Sequence, residues 1–223
     1  SQGVEGKLKA LKDIVDLQGY SNEQNRQDYE RCLTTHLNNI ESFANDRFRG
    51  QSYHDAVLLI DAIQTYRKNN RAYDEKRHRY HAYLAFSKSQ QTSSYDLLIN
   101  ETIAELNQYE QSRTSDIRAF VDLLKSKNRY SRIIKLLIPF LSLDKDFKKL
   151  AIDGVVNVVL KKDDDVKNPK KISEFCSDSS LCKDAANELV SLSASSAKKS
   201  DYKTSVLFDS FASEYFSSDN QFN

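Results

Sequence analysis

The chain has 223 residues, 39% of them apolar, 10% aromatic and 29% charged, with a formal net charge of +1. This length buries a core without covalent staples, the apolar share excludes wholesale disorder, and the balanced charge gives no global drive toward nucleic acid. Only five Gly and two Pro occur, which excludes a loop-rich fold and leaves little material for glycine-lined phosphate sites.

Residues 7–17 carry Leu8, Leu11, Ile14 and Val15 at helical spacing, and Gly19 ends that helix. Ser21, Asn22, Glu23 and Gln24 form a capping-box pattern ahead of a second helix over about 22–45. Its inner face is Tyr29, Leu33, Leu37, Ile40 and Phe43. Gly50 interrupts the pattern, and Ser52 caps a third helix over about 53–88, roughly 50 Å long. Leu59, Ile63, Tyr66, Tyr73, Tyr80 and Leu84 make its seam. A fourth helix starts at Ser93 or Ser94 and runs to about Lys127 on an almost unbroken stripe from Leu98 to Leu124.

A fifth helix covers about 131–143, with Pro139 forcing a kink or a break. Asp144 or Asp146 caps a sixth, carrying Phe147, Leu150, Ile152, Val155, Val158 and Val159, with Gly154 inside it for no evident reason. Residues 161–171 are the one clear loop. Asn168-Pro169 opens a short helix leading to Cys176, with Pro169 at its first position. Two more helices follow over about 180–197 and 201–216, the last facing inward through Tyr202, Val206, Phe208, Phe211, Tyr215 and Phe216. The predicted architecture is all-α, an irregular bundle of about seven or eight amphipathic helices. It divides into a main bundle over 1–160, the loop 161–171 and C-terminal helices over 172–223 packed on the bundle, as one domain overall.

Between Tyr66 and Tyr83, Arg67, Lys68, Arg71, Lys76, Arg77 and Arg79 interleave with four Tyr. Basic side chains among aromatics suit an anionic partner, either a membrane surface or a polyanion. Tyr66, Tyr73 and Tyr80 recur every seven residues, which is also the spacing of a packed seam with charges on its flanks. Asp74, His78 and His81 fall at steps of four and three, but no fourth ligand is evident, so no metal site is assigned. Cys32 and His36 lie one turn apart, yet two neighbours on a regular helix seldom come with an oxyanion site. There is no glycine-rich phosphate loop, nucleophile elbow or paired zinc-ligand motif. The chain is therefore read as non-enzymatic, with no catalytic residues, cofactor or small-molecule substrate.

Cys176 and Cys182 are separated by five residues rich in Ser and Asp, a spacing that permits a small disulfide loop. Cys32 is then left over and is expected to be buried as a small hydrophobe. No apolar run approaches the roughly 18–20 residues that span a bilayer. The sequence starts at Ser1 and contains no Met, as expected of a processed chain or an excised piece of one, so a removed signal peptide is compatible with it.

The stretch from Ile103 to Arg113, followed by Asp116-Ile117 and Phe120-Val121, resembles the last helix of sorting-nexin BAR domains. That resemblance covers under a quarter of the chain and implies an intracellular membrane-surface or scaffold module. Gly19, Gly50 and Pro139 instead divide the chain into helices shorter than that fold uses. The preferred reading is a secreted or surface-exposed helical protein that recognises another macromolecule, most simply a protein, in the manner of a host-interaction or effector protein.

Overall fold

A computed structural model describes residues 2–16, 23–67, 70–93 and 95–219. The chain is all-helical, with 78% helix, ten α-helices and no strand among the described residues. It packs as two compact units, Ser1–Gln111 and Ser112–Asn223. The first holds α1 (Gln2–Asp16), α2 (Glu23–Arg49), α3 (Tyr53–Gln64), α4 (Arg71–Ser89) and α5 (Asp96–Leu106). The second holds α6 (Arg113–Ser126), α7 (Tyr130–Leu137), α8 (Lys145–Val159), α9 (Ser179–Lys198) and α10 (Tyr202–Asp219). The loop 161–171 lies inside the second unit.

Ten helices replace the expected seven or eight because two long ones are each broken in the middle. The predicted helix over 53–88 ends at Gln64 and restarts at Arg71. Asn70 resets it: its backbone is extended, and its side chain accepts the Tyr73 N–H at 3.4 Å. The predicted helix from Ser93 or Ser94 to Lys127 is likewise split between Leu106 and Arg113. Tyr109 is buried in the intervening segment, and Ser112 takes a left-handed φ of 67° before its carbonyl starts α6. That break falls inside the stretch resembling a sorting-nexin helix, so the resemblance does not extend to a continuous helix. The capping-box residues Ser21 and Asn22, and the breaker Gly19, lie outside the described residues.

Other boundaries follow local chemistry. Pro139 ends α7 at Leu137, and the chain continues as a 3-10 turn over Ile138–Phe140. Asp144 caps α8 by accepting the Asp146 N–H at 2.9 Å. Asp178 does the same for α9, accepting from Leu181 N at 2.7 Å. Gly154 now has a reason: a Cβ there would stand 3.0 Å from Ile134 Cγ1 and 3.4 Å from the Tyr130 carbonyl, so α8 lies close on α7 only without one. Pro169 starts no α-helix. It is buried in the loop, and only a 3-10 turn over Ile172–Glu174 precedes Cys176. The inner face of α10 is also displaced: Ser205, Phe208, Phe211 and Ala212 are buried, while Tyr202 and Val206 are 66% and 67% exposed.

With so few Gly, several helices stop at residues with side chains in the left-handed conformation: Gln51, Asn128, Lys161 and Ser200 after α2, α6, α8 and α9. In each case the next N–H reaches back to the carbonyl five residues earlier. Ser52 N donates to Arg47 O at 2.9 Å, Arg129 N to Leu124 O at 2.9 Å, Lys162 N to Asn157 O at 3.0 Å and Asp201 N to Ser196 O at 2.9 Å. These are Schellman motifs, whose left-handed position usually belongs to Gly. A side chain there costs about 1–2 kcal/mol, partly offset by the greater chain entropy that Gly loses on folding. Gln51→Gly and Ser200→Gly are therefore each expected to stabilise their own unit by about 0.5–1 kcal/mol in urea denaturation.

Candidate functional site

The Tyr-and-Arg stretch folds as a clamp across α2, α3 and α4. Tyr73 and Tyr80 are seven residues apart on α4 and both only 3% exposed, whereas Tyr66 lies beyond the end of α3 and is 38% exposed. Tyr80 stacks on Phe48 of α2 with ring centroids 4.2 Å apart and planes 7° from parallel. Tyr53 and Tyr83 meet the same Phe48 ring edge-on. The Tyr80 hydroxyl donates to Asn45 Oδ1 at 2.6 Å. The Tyr73 hydroxyl is buried and has no hydrogen-bond partner among the described residues. Burial raises both phenols, Tyr80 to about 12 and Tyr73 further, so each stays neutral near pH 7.

Each described basic residue of the stretch engages a group within its own unit. Arg67 pairs with Glu41 at 3.1 Å, donates to Asn38 and lies over the Tyr73 ring. Lys76 pairs with the same Glu41 and lies 5.8 Å from the Tyr73 centroid. Arg71 pairs with Glu75 at 2.9 Å and Glu110 at 3.6 Å. Arg77 binds Asp61 at 2.7 Å, and Arg79 covers the Phe48 and Tyr83 rings at 5.4 and 5.8 Å. Lys68 lies outside the described residues. The N-terminal unit holds fourteen Lys and Arg against sixteen Asp and Glu, so these cations sit in a net-negative setting.

Asp74, His78 and His81 do not converge. Asp74 accepts from Gln64, His78 Nδ1 lies 2.7 Å from Glu105 and His81 Nε2 lies 3.0 Å from Asp61. Burial works to raise the Asp61 carboxyl, but hydrogen bonds from His81 and Arg77 prevail and hold it below its ordinary range. No group of three or more His, Cys, Asp or Glu placed to hold a metal occurs among the described residues.

Cys32 and His36 line a cleft of about 310 Å³ with Ile14 of α1 and Asp28, Arg31 and Thr35 of α2. Contrary to expectation, Cys32 is exposed. The buried line of α2 is Leu37, Ile40 and Ala44 with Leu33 half-buried, and Cys32 is one residue off it. The His36 ring nitrogen Nε2 lies 3.4 Å from the Lys7 carbonyl.

A second polar cluster, missed in the sequence, sits under the loop 161–171. Asp163 is buried, and its carboxylate accepts Ser131 N at 2.6 Å, Ser131 Oγ at 3.2 Å, and the N–H groups of Asp165 and Val166, both at 2.7 Å. It thus serves as a cap for α7 supplied from a distant loop. Arg132 is 1% exposed and grips Asp165 with two nitrogens, Nε at 2.7 Å and Nη2 at 2.8 Å. Arg129 also donates to Asp165. Burial acts to raise the Asp165 carboxyl, but the two guanidinium groups outweigh it and hold it below the usual range. The available sequence signal was two Arg three apart facing a triple Asp, which reads equally well as solvated charge.

Cys176 and Cys182 are joined, with Cα atoms 5.9 Å apart, and the link ties the segment after the 3-10 turn to the first turn of α9. In comparison with known proteins, no family model, no curated protein and no solved structure matches the chain. Among the described residues, no helix is long and apolar enough to cross a membrane.

Two outcomes are expected. Tyr80→Phe leaves Asn45 Oδ1 without its donor and costs about 1 kcal/mol, whereas Tyr73→Phe removes an unpaired buried hydroxyl and is neutral or stabilising, as read by urea denaturation. Asp165→Asn removes the carboxylate that Arg132 grips with two nitrogens and destabilises by about 3–5 kcal/mol at neutral pH. Because the folded Asp165 is depressed, its stabilisation is present above the unfolded carboxyl value of about 4 and is lost as pH falls below it. The variant should lack that share of the acid-induced loss in a pH series of denaturation curves.

Proposed function

We propose that the chain is a non-enzymatic binding protein, secreted or displayed on an extracellular surface, that recognises another macromolecule in a host-interaction or effector role. The observation that supports this reading is the Cys176–Cys182 link. Disulfides persist in oxidising compartments and are rare in reducing ones. This one closes a short loop beside a helix start, where it acts as a structural staple. The charge clusters add to it: the titratable groups that come together at α4 and under the loop 161–171 are engaged in holding helices to one another.

Thiol counting tests the compartment. Protein isolated from its native source, denatured without reductant and alkylated with iodoacetamide, should gain a single adduct at Cys32 by intact mass. After reduction, all three cysteines should react. Three adducts without reductant would overturn the extracellular reading.

A further inference from the structure

The loop 161–171 contains five Lys and three Asp. Folding separates those charges. Asp163 is buried on α7 and Asp165 is turned onto Arg129 and Arg132, whereas Lys161, Lys162, Lys167, Lys170 and Lys171 are all exposed. Asp164 is the exposed Asp of the loop, and it pairs with Lys167 at 3.9 Å. None of the other four Lys has a carboxylate partner among the described residues. Asp164 N donates to the Asn128 carbonyl at 2.9 Å, which brings the exposed Lys127 beside the loop. The C-terminal unit as a whole carries nineteen Lys and Arg against sixteen Asp and Glu, so this basic face is not cancelled by the charge behind it.

Part of this has a structural account. Lys127 and Lys161 follow the last turns of α6 and α8, where a cation is favoured by the helix dipole. Lys162, Lys167, Lys170 and Lys171 have no such role. We infer that this face binds a sulfated polysaccharide, an inference that rests on the extracellular reading above. Lys is a flexible point charge, suited to sulfate groups spread along a chain rather than to one anion held in a fork. Six of them lie on and beside one loop, as a linear polyanion requires. The loop contains no aromatic residue on which nucleic-acid bases would stack. Its apolar residues Pro169 and Val166 are buried or half-buried, leaving nothing to seat in a bilayer. The basic stretch on α4, by contrast, has its described cations held by carboxylates and rings.

The test is affinity for heparin by titration calorimetry at about 0.15 M ionic strength, where exposed charges more than about 8 Å apart are largely screened from one another. The threefold variant Lys162→Gln, Lys170→Gln, Lys171→Gln should bind at least about tenfold more weakly and unfold at an unchanged urea midpoint. A charge-matched control, Lys9→Gln, Lys12→Gln, Arg31→Gln, should keep the parental affinity. Chemically desulfated heparin should not compete. Equal losses in both variants, no heparin binding by the parent, or tighter binding to single-stranded DNA or to vesicles containing phosphatidylserine would each overturn the inference. Thiol counting is independent of this result, so a reduced Cys176–Cys182 pair with loop-dependent heparin binding would reject the compartment and keep the surface.

Discussion

An α-helix leaves its last four carbonyls without internal partners, and everything else in this structure depends on how that need is met with almost no Gly. Four helices stop through the same device, a side-chain-bearing residue in the left-handed conformation followed by an N–H that reaches back five residues. The device fixes the direction in which the chain leaves each helix. It therefore sets where α3 starts relative to α2, and where α10 returns along α9. The strain of a non-Gly residue at those corners must be outweighed by the packing it permits. The buried faces of α2 with α3 and of α9 with α10 provide that packing. Gln, Asn, Lys and Ser occupy the corners because their polar side chains remain in water there.

The second organising feature is a division of labour among charges. In the N-terminal unit, cations and carboxylates meet across helices: Glu41 of α2 receives Arg67 and Lys76, and Asp61 of α3 receives Arg77 and His81. Half-buried pairs of this kind contribute little apiece. Their value here is geometric, since each fixes the rotation of one helix against the next while the Phe48, Tyr80 and Tyr53 rings fill the space between. In the C-terminal unit Arg118 of α6 likewise pairs with Asp144 and Asp146 at the start of α8, and a deep cluster under the loop adds to this. Asp165 neutralises the buried Arg132, and Arg132 together with the Asp163 bonds to Ser131 holds the loop against α7.

Local signals in the sequence were legible where a residue acts on its own backbone. A cap at Asp144 or Asp146, a kink or break at Pro139 and the Cys176–Cys182 spacing need only nearby atoms, and the structure resolves them to Asp144, to a break after Leu137 and to a link between the two Cys. The helix count was not legible, because the apolar stripe carries on across both breaks. Tyr66, Tyr73 and Tyr80 keep a seven-residue rhythm although Tyr66 is not on the same helix as the others. The cap that separates them, Asn70, sits among polar residues that suit a solvated helix equally well. The face of α10 was misplaced for a related reason: aromatic content outweighed spacing, and the small residues Ser205 and Ala212 mark the packed side better than Tyr202 does. Cys32 was assigned to the interior by residue type, while its register on α2 places it outside.

Charge at the surface is the least legible quantity of all, because a sequence counts charges and a fold sorts them. The stretch Arg67–Arg79 is the most basic-looking part of the chain, yet its described cations lie beside Glu41, Asp61, Glu75 and Glu110, or over rings. The loop 161–171 is nearly balanced on paper, but two of its Asp are drawn inward to cap α7 and to neutralise Arg132. What remains outside is five Lys against Asp164 alone. The same buried ion pair that gives the loop its shape thereby gives it its sign. A substitution that released Asp165 would loosen the loop and also return a carboxylate to the face that carries the lysines, so structure and electrostatics at this surface cannot be varied independently through Asp165. They can be varied through Lys162, Lys170 and Lys171, whose side chains have no carboxylate partner among the described residues.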